Sequence, residues 1–175
     1  PGNHLGSGAQ AGAARIASAI DRAYESTGAR ARLCLENMAG AGTEIGTTFA
    51  ELRMIIDLAQ CGGTLGVCFD TCHAYGAGYD VSTARGLRSA IDEAARDVGI
   101  DRIAVVHAND SKGQLGGRKD RHEHIGDGSI GLAGFRVILA CPELADLPFV
   151  LETPVDSPED QVRDLAAIRS CAPQD

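Results

Sequence analysis

The sequence lacks several features that would place it in a broad class. No apolar run is long enough to cross a membrane, and no segment has the composition of a signal peptide. The net charge is −8, which argues against nonspecific binding to nucleic acid, although bound cations would neutralise part of it. The 6 cysteines show neither a disulfide framework nor a zinc-knuckle spacing, so we predict reduced thiols and a cytoplasmic protein.

Four short apolar runs are present, and an acidic residue or a histidine ends each of them. The runs cover residues 32–36, 65–70, 103–107 and 148–152, and they end at Glu36, Asp70, His107 and Glu152. Each gap between successive end residues can hold one strand–helix unit, which needs roughly 30 residues. Continuous apolar runs are typical of parallel strands that are buried on both faces. The runs therefore predict four parallel strands.

Helical periodicity between the apolar runs predicts five helices. Their apolar residues recur at helical spacing within 13–24, 49–59, 87–98, 132–139 and 162–168. Thr47 or Thr48 can cap the second helix, Ser82 or Thr83 the third, and Ser157 the last, where Pro158 occupies the first turn. One helix followed by four strand–helix units requires a parallel sheet.

The long predicted loops follow the strand ends, at residues 38–46, 71–80 and 109–131, whereas the loops before the strands are short. In a (β/α)₈ barrel the carboxyl ends of the strands form one rim, and that rim carries the chemistry. We therefore predict an α/β fold, a partial TIM barrel made of roughly the last four βα units plus a preceding helix. It would form a single domain over residues 1–175. A self-contained α/β domain is the alternative, because a complete barrel needs about 250 residues.

The four strand-end residues would converge on one pocket at this rim. A buried unpaired carboxylate is costly, so such groups pair with a cation or bind a metal. An ion pair with an arginine is the alternative for Glu36 and Glu152, but no arginine ends another predicted strand. His107 would otherwise be a satisfied core histidine, and it becomes a candidate ligand because three acids share its rim.

Two compact motifs add further candidates. His73 follows Asp70 by three residues, and Asp120 and His122 lie two apart, where an extended loop directs both side chains the same way. A capping aspartate beside a surface histidine and a charged solvated loop are the alternatives. Mixed nitrogen and oxygen ligands suit Zn, Mn or Fe better than Mg. The candidates exceed the needs of one ion, and a cluster of two or three ions is typical of phosphoester hydrolysis.

Several stretches of the chain closely resemble the endonuclease IV family, metal-dependent apurinic/apyrimidinic endonucleases of base-excision DNA repair. They are Pro1-Gly-Asn-His-Leu, Leu35-Glu-Asn-Met-Ala-Gly-Ala-Gly, Val67-Cys-Phe-Asp-Thr-Cys-His-Ala-Tyr-Gly-Ala-Gly-Tyr-Asp, His107-Ala-Asn-Asp-Ser-Lys, Arg118-Lys-Asp-Arg-His-Glu-His-Ile-Gly-Asp-Gly-Ser-Ile-Gly and Leu151-Glu-Thr. The resemblance covers essentially the whole chain. It implies a (β/α)₈ barrel with three zinc ions, with Mn²⁺ as the alternative metal.

The resemblance also implies which residues hold the ions. Glu36 bridges two ions, one of which is also held by Asp70, His107 and Glu152. The third ion is held by His73, Asp120 and His122. Glu36 and Glu152 are the implied catalytic residues. The family carries two further histidine ligands upstream, so we expect this chain to be the C-terminal part of such an enzyme.

The implied activity is that of a deoxyribonuclease IV-type endonuclease. It hydrolyses the phosphodiester bond 5′ to abasic sites in double-stranded DNA and leaves a 3′-hydroxyl. We expect the complete enzyme to be a monomer without a membrane association. The alternative is a xylose-isomerase-like sugar isomerase or epimerase, in which a third metal group would have no purpose in most cases.

One loop carries the basic residues that we expect to contact DNA. Lys112, Arg118 and Arg121 lie in it, beside Asp120 and His122. Local field and geometry would let them bind phosphates despite the acidic average of the chain. A solvated basic loop is the alternative.

Overall fold

The fold is organised around a parallel sheet, and the computed structural model describes residues 1–173. The strands in chain order are β1 (Gly2–Asn3), β2 (Cys34–Glu36), β3 (Glu44–Ile45), β4 (Gly66–Asp70), β5 (Ile103–His107), β6 (Asp110–Ser111), β7 (His122–Glu123) and β8 (Phe149–Val150). The central sheet has the order β2-β4-β5-β8, and its three pairings are parallel. All four strands lie within the predicted apolar runs, although β2 and β8 are shorter than those runs.

Six α-helices are present in the described residues, besides two short 3₁₀ helices: α1 (Ala9–Thr27), α2 (Phe49–Leu58), α3 (Thr71–Ala77), α4 (Ala84–Asp97), α5 (Gly131–Leu139) and α6 (Pro158–Arg169). Five of them match the predicted helices. The side chain of Thr48 caps α2 by accepting from the Glu51 N–H, and Thr83 caps α4 by accepting from the Gly86 N–H. Gly28 ends α1 in the left-handed conformation, which glycine adopts without steric strain because it has no Cβ atom.

The helix α3 corrects the prediction of a loop over residues 71–80. The Asp70 side chain accepts from the His73 N–H at 2.7 Å and so caps a helix that begins directly at the strand end. The short run before Gly78 has no clear apolar period, and this is why the pattern missed it. His73 therefore projects from a helical turn and not from a loop.

Two short antiparallel strand pairs use residues of the other two predicted loops, and β1 of the first pair precedes the first predicted helix. β1 pairs with β3, and β6 pairs with β7, where Asp110 is opposite Glu123 and Ser111 is opposite His122. Strands of two residues are too short for a pattern of alternating polarity to reveal them. The second pair places His122 next to the end of the central sheet.

The core lies between the sheet and the helices that cover it. β4 is buried along its whole length, as expected for the interior of a parallel sheet. Phe69 of β4 stacks on Phe49 of α2, with ring centroids 6.2 Å apart, and Tyr79 packs against the same Phe49 ring. Within residues 1–173, no helix is long and apolar enough to span a membrane.

Strand register brings the predicted rim residues to one end of the sheet. Asp70 is paired with His107, and His107 is paired with Val150, so that Glu152 follows two residues beyond the end of the paired region. Glu36 ends β2 opposite Cys68. The four strand-end residues therefore come from four neighbouring strands and share the carboxyl-terminal edge.

Candidate metal centre

The four strand-end side chains converge around the imidazole of His107. Its Nδ1 atom lies 3.2 Å from Glu36 Oε1, 2.9 Å from Glu152 Oε2 and 3.9 Å from Asp70 Oδ2. One potential ligand atom from each of these four residues lies within 4.8 Å of those of the others. Residues far apart in sequence thus form one group that can hold a cation.

A second group of candidate ligands adjoins the first and shares Asp70 with it. Asp70, His73 and His122 place potential ligand atoms within 4.8 Å of one another. Asp120 Oδ1 lies 3.1 Å from His73 Nε2 and 3.3 Å from His122 Nε2. Glu36 connects the two groups, because its Oε1 atom is 3.2 Å from His73 Nδ1 as well as from His107 Nδ1.

The two histidines of the second group each have a buried nitrogen without a hydrogen bond. The Nε2 atoms of His73 and His122 make no hydrogen bond to any of residues 1–173. The other ring nitrogen, Nδ1, lies 3.0 Å from the Asn37 carbonyl oxygen in His73 and 3.0 Å from the Glu152 carbonyl oxygen in His122. Asp120 Oδ1 lies close to both atoms without forming a hydrogen bond, and a buried polar atom that makes no hydrogen bond is costly. Imidazoles held through Nδ1 with a free Nε2 have the arrangement of metal-binding histidines.

The electrostatics of the site favour a cation. Burial of Asp70 raises the pKa of its carboxyl group, and this effect outweighs the hydrogen bond from the His73 N–H and the charges of His73 and His122, which lower it. Burial also opposes ionisation of Glu36, but hydrogen bonds and charge from His73 and His107 outweigh it and lower its pKa. Burial would lower the pKa of His73, yet Glu36, Asp70 and Asp120 raise it to about 10. This concentration of negative charge and the mixed N/O donor set fit divalent zinc or manganese.

Cys68 is also near Glu36 and His107, and these three could form a further grouping. The thiol is buried, however, and burial together with the charges of Glu36 and Asp70 raises its pKa far above the usual range. Only the thiolate is a good metal ligand. We therefore assign Cys68 to packing, because a free cysteine inside a strand behaves as a small buried hydrophobe.

Two asparagines support the ligands and were not singled out as candidates in the sequence. The Asn37 side chain accepts from the Asp70 N–H at 2.8 Å and donates to the Asp70 carbonyl oxygen at 3.0 Å. Asn109 Nδ2 donates to Asp70 Oδ2 at 2.7 Å, and Asn109 Oδ1 accepts from the Glu152 N–H at 2.8 Å. Their positions, directly after the strand-end candidate Glu36 and two residues after the candidate His107, are the signal that could have revealed them.

The basic loop lies at the edge of the site. A cleft of about 1020 Å³ is lined by residues of this loop, and the lining includes Asp120 of the second ligand group. Lys112, Arg118 and Arg121 all line this cleft. Arg118 has a φ of 51°, in the left-handed region that non-glycine residues rarely adopt, and its N–H donates to the Gly76 carbonyl oxygen of α3 at 2.9 Å. The loop is thereby attached to the helix that carries His73.

A family profile matches almost the whole chain and shows to which family the chain belongs. The profile described as "Xylose isomerase-like TIM barrel" matches residues 1–171. The chain belongs to this family. The prediction of a partial TIM barrel is thereby confirmed, since the parallel sheet and its helices are part of that barrel fold.

Curated relatives in this family support the resemblance to endonuclease IV. A probable endonuclease 4 of Methanoculleus marisnigri is 45% identical over 172 residues, which cover 98% of this chain and 61% of the relative. A probable endonuclease 4 of Oleidesulfovibrio alaskensis is 44% identical over 174 residues, 98% of this chain and 59% of the relative. The resemblance is thereby confirmed. The chain spans about 60% of the length of these curated relatives.

Solved structures agree with this placement. The crystal structure of endonuclease IV from Thermus thermophilus matches with a TM-score of 0.79 and 40% identity, over 91% of this chain and 57% of that one. A D-tagatose 3-epimerase-like protein matches with a TM-score of 0.57 and 22% identity, over 88% of this chain and 51% of that one. The second likeness concerns the fold alone. The assignment of residues 1–175 to one C-terminal domain stays a prediction.

Proposed function

We propose that the protein hydrolyses the phosphodiester bond 5′ to abasic sites in double-stranded DNA at a multinuclear zinc site. The observation that carries the proposal is the pair of ligand groups that share Asp70 and are linked by Glu36. Two or three metal ions a few Å apart are the equipment of phosphoester hydrolysis. The names of the relatives, probable endonuclease 4, support the same activity.

The proposed metal ligands fall into the two groups described above. The first group would use Glu36, Asp70, His107 and Glu152, and the remaining ligands would be His73, Asp120 and His122. Three Zn²⁺ ions in the complete enzyme are proposed, with Mn²⁺ as the alternative. The chemistry that such ions supply is activation of a water molecule for attack on phosphorus and stabilisation of the leaving oxygen.

The side chains of this chain contribute position and charge. Glu36 contacts both His73 and His107, so it can keep the two groups in register and bridge two ions. Glu152 lies against His107 at 2.9 Å and remains 45% exposed, so it reaches the side from which a substrate would enter. These contacts support the catalytic roles proposed for Glu36 and Glu152.

The exchange of Glu36 for glutamine tests the proposal. Glu36→Gln keeps the shape but removes a charge and weakens bridging, so cleavage of an abasic-site duplex by the full-length protein should fall at least about a hundredfold. Bound zinc should fall as well. The exposed Glu25→Gln variant is the matched control and should keep both. Near-normal cleavage by Glu36→Gln in zinc-containing buffer would defeat the bridging role.

DNA is the proposed partner, and the basic cleft is the proposed contact surface. Lys112, Arg118 and Arg121 line the cleft that also contains Asp120, so bound phosphates would lie next to the ligand groups. Replacing Arg118 and Arg121 by alanine in the full-length protein should weaken DNA binding and reduce the salt slope of log Kd by about 1–2, roughly 0.9 per lost phosphate contact. An unchanged salt slope would mean that the DNA takes another path.

A sugar isomerase or epimerase of the same barrel fold is the alternative function. The group of His73, Asp120 and His122 argues against it, because most such enzymes use one or two ions. Elemental analysis of the full-length protein separates the two: three bound ions favour the endonuclease, whereas one ion with turnover of a ketose would favour the isomerase.

We further propose that the complete enzyme is a cytoplasmic monomer. The free state of all 6 cysteines in the described structure is in keeping with a reducing compartment. Sedimentation of the full-length protein and fractionation of its native cells would test the two statements separately. A stable dimer would contradict the first, and recovery outside the cytoplasm would contradict the second.

A further inference from the structure

Two adjacent buried residues, Asn109 and Asp110, lie beside the metal centre without belonging to either ligand group. Both side chains are completely buried. Successive side chains of an extended backbone point to opposite sides. Asn109 accordingly points toward the strand-end carboxylates, whereas Asp110 points toward the segment that follows β7.

The hydrogen bonds of Asn109 join two proposed ligands of the first group. Its amide nitrogen donates to Asp70 Oδ2 at 2.7 Å, and its amide oxygen accepts from the Glu152 N–H at 2.8 Å. The Asn109 backbone is itself fixed to Thr71 by reciprocal bonds, because the Asn109 N–H donates to Thr71 Oγ1 and the Thr71 hydroxyl donates back to the Asn109 carbonyl. Asn109 thus holds Asp70 and Glu152 at a set separation.

The carboxylate of Asp110 is surrounded by backbone N–H groups. Its Oδ1 atom accepts from Ser111, Ile130 and Gly131, and its Oδ2 atom accepts from Gly126, Gly128 and Gly131. Four of these five donor residues lie in the segment 124–131, which directly follows β7. The negative charge of Asp110 therefore closes that segment into a loop of defined shape.

This closed loop limits the position of His122. On one side, β7 is attached to β6, where Ser111 is opposite His122 and the Lys112 N–H donates to the Arg121 carbonyl at 2.9 Å. On the other side, the segment after His124 is held by Asp110, and the Ser129 N–H donates to the Ser111 carbonyl at 2.8 Å. His122 is therefore carried on a short strand that is fixed at both ends.

We propose that Asp110 and Asn109 are positioning residues for different parts of the metal centre. Asp110 positions His122, and with it the ion held by His73, Asp120 and His122. Asn109 positions Asp70 and Glu152, and with them the ion held in the first group. This inference rests on the metal centre of the proposed function. Changes in residues that orient metal ligands typically reduce metal affinity by about 10–100-fold.

The proposed division of roles between Asp110 and Asn109 is tested by measuring the zinc occupancy at each ion position. Full-length wild-type protein, Asp110→Asn and Asn109→Ser are dialysed against a graded series of zinc buffers, and crystals from each are examined by anomalous diffraction at the zinc edge. Asp110→Asn should weaken zinc binding at the His73, Asp120 and His122 position by about tenfold or more. Asn109→Ser should weaken it at the first group. Asp21→Asn removes a distant carboxylate that also accepts two backbone N–H groups and should change neither.

A second variant changes the loop while leaving the Asp110 charge in place. A Cβ atom on Gly128 would lie 2.4 Å from Asp110 Oδ1, so Gly128→Ala must displace the loop from the carboxylate. It should reproduce the zinc loss of Asp110→Asn. Gly63→Ala is the matched control, because a Cβ atom there meets no other atom within 4 Å.

The outcomes separate this inference from the proposed function. Wild-type protein that binds no zinc would overturn both. Wild-type protein that binds zinc, with Asp110→Asn and Gly128→Ala keeping full occupancy at the His122 position, would overturn the inference alone. Equal loss at all positions in both Asp110→Asn and Asn109→Ser would also overturn it, since the two residues would then act on the centre as a whole.

Discussion

Asp70 and Asp110 are both completely buried aspartates at the same end of the sheet, and their surroundings differ in kind. Asp110 receives six hydrogen bonds, all from backbone N–H groups. Asp70 receives the His73 N–H and the Asn109 amide, and its remaining neighbours are imidazole nitrogens and other carboxylates. The protein itself satisfies one carboxylate and leaves the other with free acceptor capacity.

This contrast separates a structural charge from a proposed metal ligand. A buried carboxylate needs donors or a cation. Where backbone N–H groups converge, the charge stabilises a loop and has little left for an ion. Where acids and imidazoles converge, a protonated imidazole or a bound cation must compensate the charge. Burial and residue type are the same in both cases, so neither of them distinguishes the two roles.

The largest expected effect is on Asp70, the proposed metal ligand of the pair. Asp70→Asn removes a charge shared by both ligand groups, so cleavage of an abasic-site duplex by the full-length protein should fall at least about a hundredfold. Without zinc its stability should change by less than that of Asp110→Asn, because asparagine caps a helix as well as aspartate does and only the Asn109 amide loses its acceptor. Urea unfolding in chelator measures the stability. A large loss of stability there would remove the contrast with Asp110.

The next effect concerns the stability of Asp110→Asn in the absence of zinc. Asp110→Asn replaces one carboxylate oxygen by an amide NH₂ group. This group would face two or three backbone N–H donors and could not accept a hydrogen bond from any of them. Leaving buried donors without partners costs about 1–3 kcal/mol each. The Gly131 N–H reaches both oxygens, so two donors lose their acceptor and we expect a loss of about 2–6 kcal/mol. The measurement is urea unfolding in chelator, beside Asp70→Asn. Equal stability of the two variants would show that the contrast in their hydrogen bonds has no energetic consequence.

The smallest effect is expected at a third completely buried aspartate, which combines features of the first two. Asp164 of α6 accepts from the Ile125 N–H at 3.2 Å and lies 2.9 Å from His124 Nδ1. Asp164→Asn should cost about 1–2 kcal/mol in urea unfolding, because fewer donors lose their acceptor. Zinc content should not change, with the exposed Glu159→Gln on the same helix as the control. Loss of zinc would mean that Asp164, like Asp70, contributes to metal binding.

The parallel strands and most helices could be predicted because their signals are local. Continuous apolar runs marked β2, β4, β5 and β8, and threonine caps marked the starts of α2 and α4. The helix α3 was not predicted, because its start is set by Asp70 and the apolar pattern assigned Asp70 to the strand end. The pairing of β6 with β7 was not predicted, because strands of two residues carry no periodic signal.

The amino-acid sequence by itself determined the residue types at the strand ends, and parallel strands necessarily bring those ends to one edge. Glu36, Asp70, His107 and Glu152 could be grouped for this reason before any coordinates were known. Tertiary structure alone decided which buried carboxylates keep free acceptor atoms. Hydrogen bonds from Asn109 and from the loop after His122 join parts of the chain that are distant in sequence. Their formation depends on packing geometry, and no local pattern records it.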